Sequence, residues 1–163
     1  MADKLKDIIN KQQQKDDAVG QLDNVVQLVG FMIGDEEYAV PILAIQEIIK
    51  PFPWTRVPQV PKYVMGVFNL RGAVIPLIDL RTKFGLQTKK HGEDTRFIVM
   101  RHGDDVAGFV IDRLTMAIRI KKENIGPAPD TINDEDTIID GVGKQEDKII
   151  TLLKVNKLLE RDF

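Results

Sequence analysis

Residues 69–81 read NLRGAVIPLIDLR: a polar corner at Arg71 and Gly72, a run that is apolar on both faces, then an aspartate. In an extended strand Val74, Ile78 and Leu80 point one way while Ala73, Ile75 and Leu77 point the other, so both faces call for cover. Two layers must supply it, and one of them can belong to another molecule. With GVFNL before the corner and AVIPLI after it, the stretch reads as a β-hairpin. Pro76 has no N–H for a ladder, which places its strand at a sheet edge or at a bulge. Asp79 then stands where a capping residue opens a short helix, LRTKF, stopped by Gly85.

The pattern continues outward in both directions. VVQLVGFMI, GDEE and YAV read as strand, turn and strand. ILAIQEIIK, closed by Pro51, reads as a short helix with Ile42, Ile45 and Ile49 on one stripe, while Leu43 and Ile48 fall elsewhere. Prolines 51, 53, 58 and 61 stiffen a long connection that follows it. In the second half RFIVMR, HGDD and VAGFVID form a hairpin, MAIRI an alternating strand, 121–137 a polar loop, IIDGVG, KQED and KIITLLKV a last hairpin, and NKLLERDF a closing helix. Gly66 and Val67 before one hairpin are answered by Gly141 and Val142 before the other, a spacing of 75 residues. That self-similarity points to two related small barrels rather than one sandwich.

Bulk properties exclude several classes of function. A chain of 163 residues, 43% apolar, can form one domain or two small units sharing a core. It has no cysteine, hence no disulfide, thiolate metal site or thiol nucleophile. A formal charge of -2 with interspersed signs gives no basic footprint for nucleic acid. Residues 1–24, rich in Lys, Asp and Gln, carry one short apolar stripe at Leu5, Ile8 and Ile9 and read as a polar tail, not a secretory signal. The longest apolar run, 39–45, is too short to span a membrane.

No catalytic set of nucleophile, base and orienting group assembles from the sequence. His91 and His102 sit in charged, glycine-containing turns; no phosphate-binding glycine motif is present; and NDEDTIIDG lacks the ligand spacing of a calcium loop. The chain is therefore expected to have no catalytic residue, metal or cofactor. The segment 42–50 carries five large apolar residues on more than one face, which calls for cover from beyond a single barrel.

GDEEYAVPILAIQEI, TRVPQVPKYVMGVFNLRGAVIPLIDLRTKFG, GFVIDRL and IITLLKVNKLL together resemble the chemotaxis coupling family of CheW-like domains. The likeness runs from about Val26 to the carboxyl end; Lys154 departs from the acid that many relatives have there. The resemblance implies a mainly β fold of two five-stranded SH3-like barrels, intertwined over 25–163, with the second at roughly 92–150, packed on a shared apolar interface and trimmed by short helices. It implies a non-enzymatic cytoplasmic adaptor, a monomer until recruited to membrane-associated receptor arrays. Its partners would be the regulatory domain of the histidine kinase CheA and the tips of methyl-accepting chemoreceptors, with neither nucleic acid nor inserted lipid. By resemblance Ile42, Ile45, Glu47, Gly66, Asn69 and Arg71 surround the receptor site, and Thr95 and Arg96 lie by the kinase surface. A small nucleic-acid-binding barrel is the alternative.

Overall fold

The computed structural model describes residues 24–127 and 137–160. The expected tail, part of the polar loop and the last residues of the closing helix lie outside them. Eleven strands follow in order: β1 (Val25–Ile33), β2 (Glu36–Pro41), β3 (Ile45–Ile49), β4 (Val64–Leu70), β5 (Ala73–Asp79), β6 (Arg96–His102), β7 (Asp105–Ile111), β8 (Arg113–Lys121), β9 (Ile125–Gly126), β10 (Ile139–Gln145) and β11 (Lys148–Leu153). Two short helices, α1 (Leu80–Lys83) and α2 (Val155–Leu158), each follow a hairpin.

The strands make two sheets, ordered β8-β1-β2-β11-β10-β9 and β3-β6-β7-β5-β4. The first exceeds the expected five strands by the two-residue β9. Three apolar clusters explain the arrangement. Leu28, Ile118, Ile150 and Leu152 form a cluster within the first sheet, and Phe68, Ile75, Leu77 and Phe97 one within the second. Between them Phe31, Ile33, Val40 and Leu153 from one sheet meet Ile78, Ile98, Met100 and Phe109 from the other. The opening strand thus finds both its layers within the chain: Ile75 and Leu77 face the inside of their own sheet, Ile78 the shared interface. Val74 at the hairpin corner is left out, 69% exposed.

The sheets do not follow the halves of the chain. Residues 92–150, the stretch expected to form the second barrel, supply β6 and β7 to the five-stranded sheet and β8 to β10 with the start of β11 to the other. What repeats is a unit of strands, and the 75-residue spacing governs it closely. A shift of 75 carries β4, β5 and α1 onto β10, β11 and α2, including the register slip between Val64 and Gly66 onto that between Ile139 and Gly141. The closing bonds repeat too: the Asp79 N–H donates to the Tyr63 carbonyl and the Lys154 N–H to that of Ile138, both at 2.7 Å. A shift of 69 likewise carries β1, β2 and β3 onto β6, β7 and β8. Each unit therefore sends its leading hairpin to one sheet and the rest to the other, where it pairs with the opposite unit.

Two local expectations require correction. ILAIQEIIK is no helix: after a single 3-10 turn at Ile42–Ala44 it becomes β3, whose burial alternates and which pairs with β6. Its four isoleucines are β-branched and fit a pleated surface, Ile45 reaching the shared core and Ile49 the core of its own sheet. Pro76 lies on an interior strand, but the parallel pairing of β5 with β7 begins only at Leu77, so at Pro76 the strand is locally an edge. Asp79 behaves as read: its carboxylate accepts from the Arg81 N–H and from the Thr82 and Thr88 hydroxyls.

Because the shared cluster contains buried residues of both sheets, it should couple them. Phe109→Ala is expected to cost about 3–5 kcal/mol, read from the urea midpoint. Sheet-specific probes should still report a single transition; two separated transitions would show that the sheets fold independently.

Candidate docking site

The hairpin corner takes its shape from three residues. Arg71 and Gly72 have φ of 52° and 90°, the doubly left-handed path of a tight primed turn. The Asn69 side-chain oxygen accepts from the Gly72 N–H at 3.0 Å and braces it. The guanidinium of Arg71 then reaches across to β3, its Nε and Nη2 each 3.2 Å from a Glu47 carboxylate oxygen. Glu47 is mostly covered, whereas Arg71 is 77% exposed. The paired carboxylate raises the arginine's pKa further, so its charge is permanent. Nη1 is not used in the bond to Glu47, leaving donors for a second carboxylate.

Next to this pair, Gln46, Val74, Asp104 and Val106 line a cavity of about 350 Å³. Arg101 forms its far wall and donates from Nε to Gln46 Oε1 at 3.0 Å. The same arginine borders a second cleft where the two sheets meet, together with Leu43, Ala44, His102, Asp140, Lys154 and Asn156. Leu43 is 96% exposed there and Ile42 41%. A surface that is apolar at Ile42 and Leu43 and charged at Arg101, Arg71 and Glu47 thus runs from the sheet junction to the hairpin corner.

The repeat explains why this junction is open. Its counterpart under the repeat is bridged by polar contacts and keeps a smaller cavity, about 210 Å³ against about 410 Å³: Arg81 pairs with Asp112, which also accepts from the Gly34 N–H at 2.8 Å. Under the same shifts Arg81 becomes Asn156, Asp112 becomes Leu43 and Gly34 becomes Gly103. An ion pair that fastens one junction is replaced by an unpaired leucine at the other. Asp79, which caps α1, becomes Lys154, which makes no capping bond to α2.

Five of the expected receptor-site residues therefore gather around one surface, with different parts. Ile42, Asn69 and Arg71 are exposed, Glu47 holds Arg71, and Ile45 is half-buried against the shared core. Gly66 is buried and presents nothing outward; a Cβ there would lie 2.0 Å from the Thr55 carbonyl oxygen, so glycine allows Thr55 to pair with Val67 through two 2.8 Å bonds. Leu43, Val74 and Arg101 were not singled out from sequence. The first two carried a signal, being large apolar residues left over once one face of each strand is assigned inward; Arg101 carried none.

Thr95 and Arg96 stand elsewhere, at the start of β6, whose far end carries Arg101. That separation is roughly 17 Å at the rise of a strand. Thr95 is buried, its hydroxyl accepting from the Gly92 N–H at 2.9 Å; Arg96 donates to the Glu93 and Thr95 carbonyls at 2.7 Å. Only Arg96 is therefore available to a partner. His91, read as a turn residue, packs between Trp54 and Phe97 with ring centroids at 5.3 and 5.8 Å. Among the described residues no cluster of His, Cys, Asp or Glu could hold a metal, and no helix is long and apolar enough to cross a membrane.

Comparison with known proteins agrees with this geometry. A family model described as CheW-like domain matches residues 27–163. The chain is 53% identical over 165 residues to the chemotaxis protein CheW of Helicobacter pylori, all of both chains being covered. It is 32% identical over 137 residues to that of Bacillus subtilis, covering 83% of this chain and 88% of the relative. The crystal structure of the scaffolding protein TtCheW from Thermoanaerobacter tengcongensis matches with a TM-score of 0.77 at 30% identity, covering 84% of this chain and 94% of that one.

The Arg71–Glu47 pair is exposed, and exposed pairs add little to folding. Arg71→Ala should therefore move the urea-derived stability by less than about 1 kcal/mol. A larger loss would make the pair a structural clasp.

Proposed function

Since the chain belongs to the CheW-like domain family, we propose that it is a non-enzymatic chemotaxis adaptor joining the cytoplasmic tips of methyl-accepting receptors to the regulatory domain of CheA. The observation that carries this reading is the continuous surface from Ile42 and Leu43 through Arg101 to the Glu47–Arg71 pair. The helical hairpin of a receptor would lay its apolar stripe on Ile42 and Leu43 and bring a carboxylate to the free donors of Arg71. Arg96, at the opposite end of β6, leaves room for the kinase without overlap. Outside the array the adaptor is a cytoplasmic monomer; within it, it fixes kinase and receptor in register so that receptor state biases kinase activity.

Magnitudes favour an assembly over a pair. Covering Leu43 offers about 1.5–3 kcal/mol, and Ile42, already partly covered, roughly half that; a charged hydrogen bond from Arg71 offers about 1.5–3 kcal/mol. Immobilising one partner on the other costs about 4–15 kcal/mol. Each contact alone is weak, so the complex depends on several at once through effective concentration. The nucleic-acid alternative has no supporting feature: the net charge is -2, and the matched relatives are chemotaxis proteins.

Reconstitution with CheA and a receptor signalling fragment tests this. Kinase activation should require the chain, and Arg71→Glu should lower it at least tenfold while circular dichroism and Tm are unchanged; a folded variant with full activation overturns the site. Leu43→Lys should weaken co-sedimentation with receptor and spare binding to the kinase.

A further inference from the structure

The two shifts that superimpose the strand registers also relate surfaces. They carry Glu47 to Met116, Arg101 to Met32, Arg71 to Glu146 and Val74 to Ile149. The cavity beside Arg71 should accordingly have a counterpart on the six-stranded sheet. It is there: an open groove of about 730 Å³ between β1, β2, β8 and β11, bordered by Met32, Thr115, Met116 and Ile149. Ile149 is 66% exposed and Met116 57%.

Its chemistry is altered in a definite sense. Where the first site has Arg101 and Glu47, this groove has two methionines, a floor that adapts to apolar side chains. Where the first has a cation at the hairpin corner, this one has Glu146, also at positive φ. Asp35, Glu36 and Glu37 extend the acidic rim against Arg113 and Lys148. An occupant must therefore combine apolar side chains with flanking cations.

The chain itself contains such a segment. Residues 4–11, KLKDIINK, carry Leu5, Ile8 and Ile9 among Lys4, Lys6 and Lys11, with Asp7 the one acid. They precede the described residues, and the chain enters the six-stranded sheet at Val25, the start of β1, the strand that carries Met32 toward its end. From Val25 to Met32 is about 23 Å at the rise of a strand. The 14 residue steps from position 11 to position 25 extend up to about 48 Å, so the segment can turn back along β1 and reach the groove. Being tethered, it works at an effective concentration in the millimolar range, where a weak contact is enough.

We propose that residues 4–11 dock within the same chain in the Met116–Ile149 groove, with apolar side chains on Met116 and Ile149 and lysines toward Asp35, Glu36 and Glu146. In that position it would compete with any partner that approaches this face of the six-stranded sheet. This does not rest on the receptor reading.

The absence of native cysteine makes the test direct. In the full chain, Asn10→Cys carries a nitroxide label and the methionine methyl groups carry ¹³C. The Met32 and Met116 signals should lose more than half their intensity, Met65 should keep its own, and dilution should change neither. Ile149→Glu should restore Met116. Undiminished Met116 signals, broadening of Met65 to the same extent, or broadening that fades on dilution and so reports a second copy, would each overturn the proposal.

Discussion

The apolar interface shared by the two sheets is the constraint on which the rest depends. Ile78, Ile98, Met100 and Phe109 on one side and Phe31, Val40 and Leu153 on the other are buried only because the sheets face each other. Neither sheet could expose that face to water at an acceptable cost, since each large side chain contributes about 1.5–3 kcal/mol. The exchange of hairpins between repeats reinforces the pairing. β3 leaves the unit begun by β1 and β2 to pair with β6, and β8 leaves the unit begun by β6 and β7 to pair with β1. Separating the two repeat units would therefore break strand ladders as well as packing.

A duplicated unit arranged in this way creates its surface features in pairs, and the differences within each pair carry the information. At one sheet junction Arg81, Asp112 and the Gly34 N–H form a bonded cluster. The related positions at the other junction hold Asn156, Leu43 and Gly103, and Leu43 is left in water. At one hairpin corner stands Arg71, at the other Glu146. The backbone follows the same path in each case, so a few side chains decide which cleft is bridged and what charge a partner must bring.

The geometry also suits a protein whose work is to hold others in place. The exposed surface from Leu43 to Arg71 and the polar end at Arg96 are joined by β6, a central strand bonded on both sides. A rigid strand keeps a fixed distance between two weak contacts, and fixed distance is what converts weak contacts into a defined assembly. Glu47 adds to this by holding Arg71 at an exposed corner where an unbraced arginine would sample many rotamers.

What the sequence by itself determined is the local and periodic part. The hairpin at Arg71 and Gly72, the cap at Asp79, the 75-residue repeat and the demand of residues 73–78 for two covering layers all follow from short-range sterics and alternation, which neighbouring residues alone dictate. The resemblance of ILAIQEI and GVFNLRG to coupling proteins pointed to Ile42, Glu47 and Arg71 as well. Tertiary structure decided the remainder. Residues 45–49 are a strand because β6 offers an edge to them, Pro76 is tolerated because pairing with β7 begins one residue later, and Gly66 makes room for Thr55. Arg101 joined the site only when β6 paired alongside β3 and brought it to Gln46 and to the cleft at Leu43. Each of these depends on which distant strand becomes the neighbour, and a pattern of apolar residues specifies that a face must be covered without specifying by what.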